Sequence, residues 1–240
     1  MDRSLSAVPS SVRWALAGLL VLQIAFAALQ PPPRADAQAL PALPSTPALR
    51  AASLGDPVPL AQMLTLYLQA FDNQPGISIP FLQLDYARVE QWLGRILELD
   101  PRGQYPLLLA AQVYAQVPDE RRQRRMLEFV YARFLDDPDR RWPWLAHAAI
   151  MARHRLNDMP LALRYATALR THASGPGVPA WARQMEIFLY EDMGEHQAAK
   201  VLLGGMLASG TVTDPHELAF LVRRLEQLEA AEKSSEASKK

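Results

Sequence analysis

Apolar positions recur along most of this chain at helical spacing, and proline cuts the recurrence at regular intervals. In Tyr86–Leu99, Val89, Trp92, Leu93, Ile96 and Leu97 fall on one stripe, with Asp85 placed to cap the first turn. Asp100-Pro101 stops that helix, and four residues later a second is predicted over residues 105–116. Met126, Leu127, Val130, Tyr131 and Phe134 then mark a helix over 121–135. Further helices are predicted from Arg140 to residue 156, and over 160–170, 179–193, 195–208 and 216–232. Upstream, Asp56 is a candidate N-cap with Pro57 at the first helical position, ahead of Leu60, Met63, Leu64, Tyr67, Leu68 and Phe71. Residues 77–84 (ISIPFLQL) carry β-branched residues and Pro80, so they are expected to be loop or short extended chain. Packing over the end of the helical region is favoured there over a binding edge, because exposed apolar residues are costly.

The breaks at Pro101, Pro138, Pro176 and Pro215 lie 37, 38 and 39 residues apart. Each interval holds two helical segments and one turn. Laying Leu107 over Trp144 over Trp181 aligns the inner turns at Glu120, Asn157 and Gly194, and brings Ala162 onto Ala199. A fixed period of paired helices is the pattern of a stack in which no hairpin buries its apolar face alone. The expected class is all-α.

Before the stack, Trp14 to Leu29 (WALAGLLVLQIAFAAL) is apolar but for Gln23, and Val12 and a snorkelling Arg13 extend it towards membrane-spanning length. A cleaved signal is compatible with Ala25-Phe26-Ala27 or Ala35-Asp36-Ala37 as the cleavage pattern. An anchor with residues 1–13 in the cytoplasm agrees better with the length of the run, with Arg3 and Arg13 ahead of it, and with the positive-inside rule. The expected organisation is therefore a cytoplasmic segment (1–13), a transmembrane signal anchor (14–29), a Pro/Ala-rich spacer (30–54), a helical domain (55–232) and a frayed polar tail (233–240). A spacer of this composition favours polyproline II and would reach about 75 Å at ~3.1 Å per residue. On this reading the bulk of the chain faces the bacterial periplasm, with the inner membrane as its support.

Charge and composition narrow the chemistry. Basic and acidic residues balance at 25 each, which argues against nucleic acid as a partner. The chain has no cysteine, and therefore no disulfide, thiolate or zinc–thiolate site. No phosphate-binding glycine loop and no G-x-S-x-G is present. His147, Met151 and His154 share a helix face, but no acidic residue completes a metal set, and core packing is the expected role. No catalytic residue, cofactor, metal or small-molecule substrate is expected. The sharpest charge feature is the run Arg121, Arg122, Arg124 and Arg125, with Arg140 and Arg141 following. Cations at a helix start oppose the helix dipole, so an acidic partner segment or anionic headgroups become candidate ligands.

Residues 96–101 (ILELDP) and the positions Leu107, Ala110, Ala111 and Tyr114 resemble the junction of tetratricopeptide repeats, in degenerate form and at a longer period. The later units match less well: His147, Gln184 and Met185 replace expected residue types. The resemblance implies a right-handed α-solenoid of about four to five stacked hairpins. It also implies a concave face made by the first helices. There Tyr105, Leu108, Gln112, Trp142, Leu145, Ala149, Arg153, Ala182, Glu186 and Tyr190 would meet a protein or peptide partner. The implied function is a membrane-anchored scaffold in envelope protein assembly or maturation. The alternatives are an α-superhelical enzyme on envelope polymers, which needs a deep acidic cleft, and a secreted binding module after signal cleavage.

Overall fold

The computed structural model describes residues 9–30, 37–210 and 212–237, with side chains as far as residue 231. Among these residues the chain is mostly helical: α1 (Ser10–Leu29), α2 (Thr46–Ala52), α3 (Pro57–Ala70), α4 (Tyr86–Leu99), α5 (Tyr105–Leu108), α6 (Glu120–Phe134), α7 (Pro138–His154), α8 (Met159–His172), α9 (Ala180–Asp192), α10 (His196–Ala208) and α11 (Pro215–Ala237). Two short strands, β1 (Asn73–Gln74) and β2 (Ile77–Ser78), pair with each other. The chain divides into two units, one of residues 1–38 with 74–78 and one of residues 39–73 with 79–240.

The first unit carries α1, 20 residues whose described side chains are all exposed, long and apolar enough to span a membrane or to serve as a signal sequence. One expected cleavage pattern, Ala35-Asp36-Ala37, lies largely outside the described residues, as do Pro31-Pro32-Pro33 and the last three residues of the tail.

In the second unit, aspartates start the helices. Asp85 accepts from the Ala87 and Arg88 amides, Asp119 from Arg122, Asp158 from Leu161, and Asp214 from His216 and Glu217. These bonds satisfy amides that a first turn leaves without a helical acceptor. Asn157 and Gly194, 37 residues apart, both take the left-handed conformation that ends a helix. Consecutive helices pack on each other from α6 to α11, α3 packs on α4, and α4 and α7 also touch α6 and α9 respectively. One core runs from Leu40 through Leu93, Leu107, Leu127, Phe134, Leu145 and Leu169 to Leu189. A second, smaller one gathers Ile187, Ala199, Leu203, Leu221 and Leu228.

Four expectations are corrected. The helix over 105–116 is broken into α5, a π-helical turn (Leu109–Val113) and a 3₁₀ turn (Tyr114–Gln116). Tertiary bonds explain it, since Tyr86 Oη donates to the Tyr114 carbonyl and His147 bonds the Ala111 carbonyl. The unit that best matched a tetratricopeptide hairpin therefore does not take that form. Helix α7 begins at Pro138, so Pro143 lies inside it rather than at its start. The stretch expected to be spacer is folded from residue 39 onward. Leu40 and Leu49 are buried, Trp92 Nε1 donates to the Pro41 carbonyl at 2.8 Å, and Arg50 bonds the Glu98 carbonyl at the end of α4. Finally, α11 continues to Ala237, past the expected frayed boundary. The apolar stretch after β2 packs: Ile79 and Leu84 are buried, and the Phe81 ring stands edge-on to Tyr114 at 5.6 Å.

Candidate partner-binding groove

The basic run is not a free cationic patch. Arg122 pairs with its own N-cap, Asp119, at 2.9 Å and lies over the Tyr86 ring. Arg124 bridges Asp158 at 2.6 Å and Glu120 at 3.0 Å. Its neighbour Arg125 meets Glu90 at 2.6 Å, while Arg121 is exposed with no ion pair among the described residues. The carboxyl of Asp158 is held below its ordinary range, first by the Leu161 amide and then by Arg124. Arg140 pairs with Asp137 at 2.8 Å. Arg141 is 3% exposed and donates to the carbonyls of Arg133 and Pro101 and to Asp136. It joins the ends of α4 and α6 and is out of reach of any partner. Carboxylates from neighbouring helices thus offset the dipole penalty that the sequence assigned to a ligand.

The proposed concave face is not brought together either. Leu145, Ala149, Ala182 and Glu186 are buried, because α7 and α9 are covered by helices on more than one side. Glu186 accepts from Arg170 at 2.7 Å. Arg153 pairs with Asp192, and Tyr190 packs against the smaller core. Leu108 and Trp142 are half-buried, the latter edge-on to Trp181 at 5.4 Å. Tyr105 and Gln112 remain exposed, with Tyr105 Oη accepting from Gln69 at 2.7 Å. His147 is half-buried, and burial pushes its pKa down while the Ala111 carbonyl opposes the shift. Its Nε2 is buried without a partner. Among the described residues no group of three His, Asp or Glu is placed to hold a metal ion.

The concavity lies further along the chain. Helices α9, α10 and α11, with the connections that precede α9 and α11, enclose an open groove of about 1270 Å³. Trp181, Val201, Leu202, Met206, Val212 and Phe220 supply its apolar wall, and Val201 is 75% exposed. Its buried polar floor is internally satisfied: Glu217 accepts from Arg183 at 3.0 Å and from Gln184 at 3.1 Å, and Arg183 also bonds the Val178 carbonyl. The lining holds two arginines, Arg170 and Arg183, and two carboxylates, Asp214 and Glu217, with Arg183 paired to Glu217 and Arg170 to Glu186 behind it. Of the adjacent glycines Gly204 and Gly205 in α10, Gly205 lines the groove, and a Cβ at either position would meet no atom within 4 Å.

Sequence reasoning placed none of these residues in a binding site. The available signal was the Gly204-Gly205 pair inside a leucine- and alanine-rich helix, where glycine is otherwise unfavourable by ~1 kcal/mol relative to alanine. No protein-family model, curated protein or solved structure matches the chain.

Proposed function

We propose that this protein is a membrane-anchored scaffold of stacked helical hairpins, which receives an apolar, weakly charged segment of a partner protein between α9, α10 and α11. The observation that carries the reading is the groove itself. It exceeds the ~300–1,000 Å³ of ordinary small-molecule sites, has an apolar wall, and carries its buried charge as the Arg183–Glu217 pair. Such a surface selects by shape and apolar contact, with aromatic residues such as Trp181 as anchors. Neutrality also separates it from the acidic cleft that hydrolysis of an envelope polymer requires.

Support for the stack comes from side-chain pairs roughly one hairpin apart. Arg125–Glu90, Arg124–Asp158, Arg164–Glu128, Arg183–Glu217 and Arg224–Glu191 join residues 33 to 36 positions apart. In a solenoid, equivalent surfaces of successive hairpins meet at about this separation. With α1 as anchor and Arg13 on its N-terminal side, the scaffold sits on the periplasmic face of the inner membrane, in assembly or maturation of envelope proteins.

A photo-crosslinking residue in place of Val201, in the full chain in native membranes, tests the groove. Its adducts are expected to disappear when Gly205→Leu fills the space, with melting temperature preserved because that position is open. Adducts that persist in a folded Gly205→Leu chain would remove the groove as the docking site.

A further inference from the structure

Helix α3 and the residue before its capping turn have a surface that a water-facing helix does not carry. From Pro57 to Phe71 no side chain is charged. Seen down the helix, the exposed positions Val58, Pro59, Gln62, Met63, Leu66, Tyr67 and Ala70 cover about half of the circumference at 100° per residue, with Ala61, Thr65 and Leu68 turned inward. Met63 is 66% and Leu66 65% exposed. A surface helix ordinarily sets charged residues opposite its buried stripe. Leu54, two residues before the cap Asp56, is 95% exposed and has φ +53. A leucine in the left-handed region is strained relative to glycine or asparagine, and here no burial within the chain compensates.

The length of the tether says what covers this surface. Because the folded unit begins at residue 39, nine residues separate it from the end of α1 at Leu29. Nine residues reach at most about 30 Å, well short of the reach expected of a 25-residue spacer. If α1 spans a membrane, residue 39 lies within that reach of the end of the span.

We infer that α3 lies in the interfacial layer of the bilayer, with Leu54, Val58, Met63, Leu66 and Tyr67 in contact with lipid. The inference rests on the reading of α1 as an anchor. An interfacial helix buries its apolar face ~5–10 Å into the headgroup and acyl boundary. Tyr67, whose ring stacks on Trp92 at 5.2 Å, has the amphipathic character favoured at that depth. Absence of charge suits a face that enters the boundary rather than one held above it by anionic headgroups. Leu66 and Gln62 also line a pocket of about 430 Å³ between α3 and the start of α5, so the apolar surface continues into a cleft.

Since the chain has no cysteine, single Leu54→Cys, Met63→Cys and Leu66→Cys variants of the full chain can each carry a polarity-sensitive fluorophore, with Val201→Cys on α10 as the water-exposed reference. The chain is reconstituted into vesicles of phosphatidylcholine and phosphatidylglycerol that contain quencher-bearing lipid. Labels at 54, 63 and 66 are expected to emit to the blue of the reference and to be quenched by that lipid several-fold more strongly. Protein that floats with vesicles while these labels stay as open to aqueous iodide as the reference overturns the inference and leaves the anchor standing. Labels shielded from iodide but not reached by the lipid quencher overturn it in favour of a protein contact, such as a second copy. A chain that fails to float with vesicles overturns the anchor, and the inference with it.

Discussion

Helices α7 and α8 meet through alanine, whereas α10 turns a pair of glycines to open space. Ala146, Ala148, Ala149 and Ala152 of α7 and Ala162 and Ala166 of α8 are all buried, which lets the two helices approach closely while Leu145, Leu169 and Tyr165 fill the layers around them. In α10 the small residues Gly204 and Gly205 face open space, and Val201, Phe188 and Val222 stay exposed beside a much smaller core. The same device, a small side chain in a helix, closes one interface and opens the other. The difference is what fills the opposite side. A frame with little internal freedom carries a region with room for a second molecule, and low packing density is what such an opening requires.

The largest expected effect tests whether the two cores are energetically separate. Phe134→Ala empties a fully enclosed site in the larger core and should cost ~3–5 kcal/mol, lowering protection from hydrogen exchange throughout α4 to α8. Leu221→Ala removes a side chain equally enclosed but in the smaller core. It should cost ~2–4 kcal/mol, with exchange rising in α10 and α11 only. Denaturant unfolding in detergent together with exchange mass spectrometry reads both. If Leu221→Ala loosens α4 to α8 to the same degree, the two regions are one cooperative body and the comparison fails.

A smaller effect concerns the polar groups that fasten the frame. Arg141 is buried on two backbone carbonyls and Asp136, whereas Arg125 makes a half-exposed pair with Glu90. Arg141→Met retains most of the volume and deprives the Pro101 and Arg133 carbonyls of their donor, an expected loss of ~2–4 kcal/mol. Arg125→Ala should cost ~1 kcal/mol or less, and that cost should shrink with added salt. Equal costs for the two would mean that the arginines act as one surface network and that Arg141 is no special fastening.

Helices were legible in the sequence wherever one stripe and one cap sufficed. The apolar stripe, Asp85 and Pro101 bound α4 where they were expected to, and Asp56 caps α3 by accepting from the Val58 amide. The turns at Asn157 and Gly194 were legible for a similar reason, since the inner-turn alignment and the left-handed conformation fall on the same positions. What could not be read was settled by partners distant in sequence. The π-helical turn at Leu109 depends on Tyr86 and His147, and the docking of residues 39–52, with Leu40 and Leu49 buried, involves Trp92, Arg95 and Glu98 of α4. The arginine run misled because its carboxylates, Glu90 and Asp158, stand 35 and 34 residues away. The groove was missed because two glycines signal an absence of contact, which no periodicity records.

The smallest effect sharpens the comparison through pH. His147 stands in the tightly packed region, hydrogen-bonded to the Ala111 carbonyl, with Nε2 enclosed and unpartnered. Burial lowers its pKa below the ordinary 6.5, so the folded chain resists a proton that the unfolded chain takes up. Above the ordinary value neither state binds the proton and the residue adds no pH dependence. As pH falls below 6.5 the unfolded state gains the proton first, and stability declines until the folded pKa is passed. His147→Gln can keep a donor towards the Ala111 carbonyl and removes the titration. Melting temperature should therefore fall less in this variant than in the parent between about pH 7.5 and about pH 5, with the parent's extra exchange at low pH concentrated in α5 to α7. Parallel pH curves for the two chains would show that His147 gains a proton as easily in the frame as in water, and that the enclosure around α7 is looser than the packing of its alanines implies.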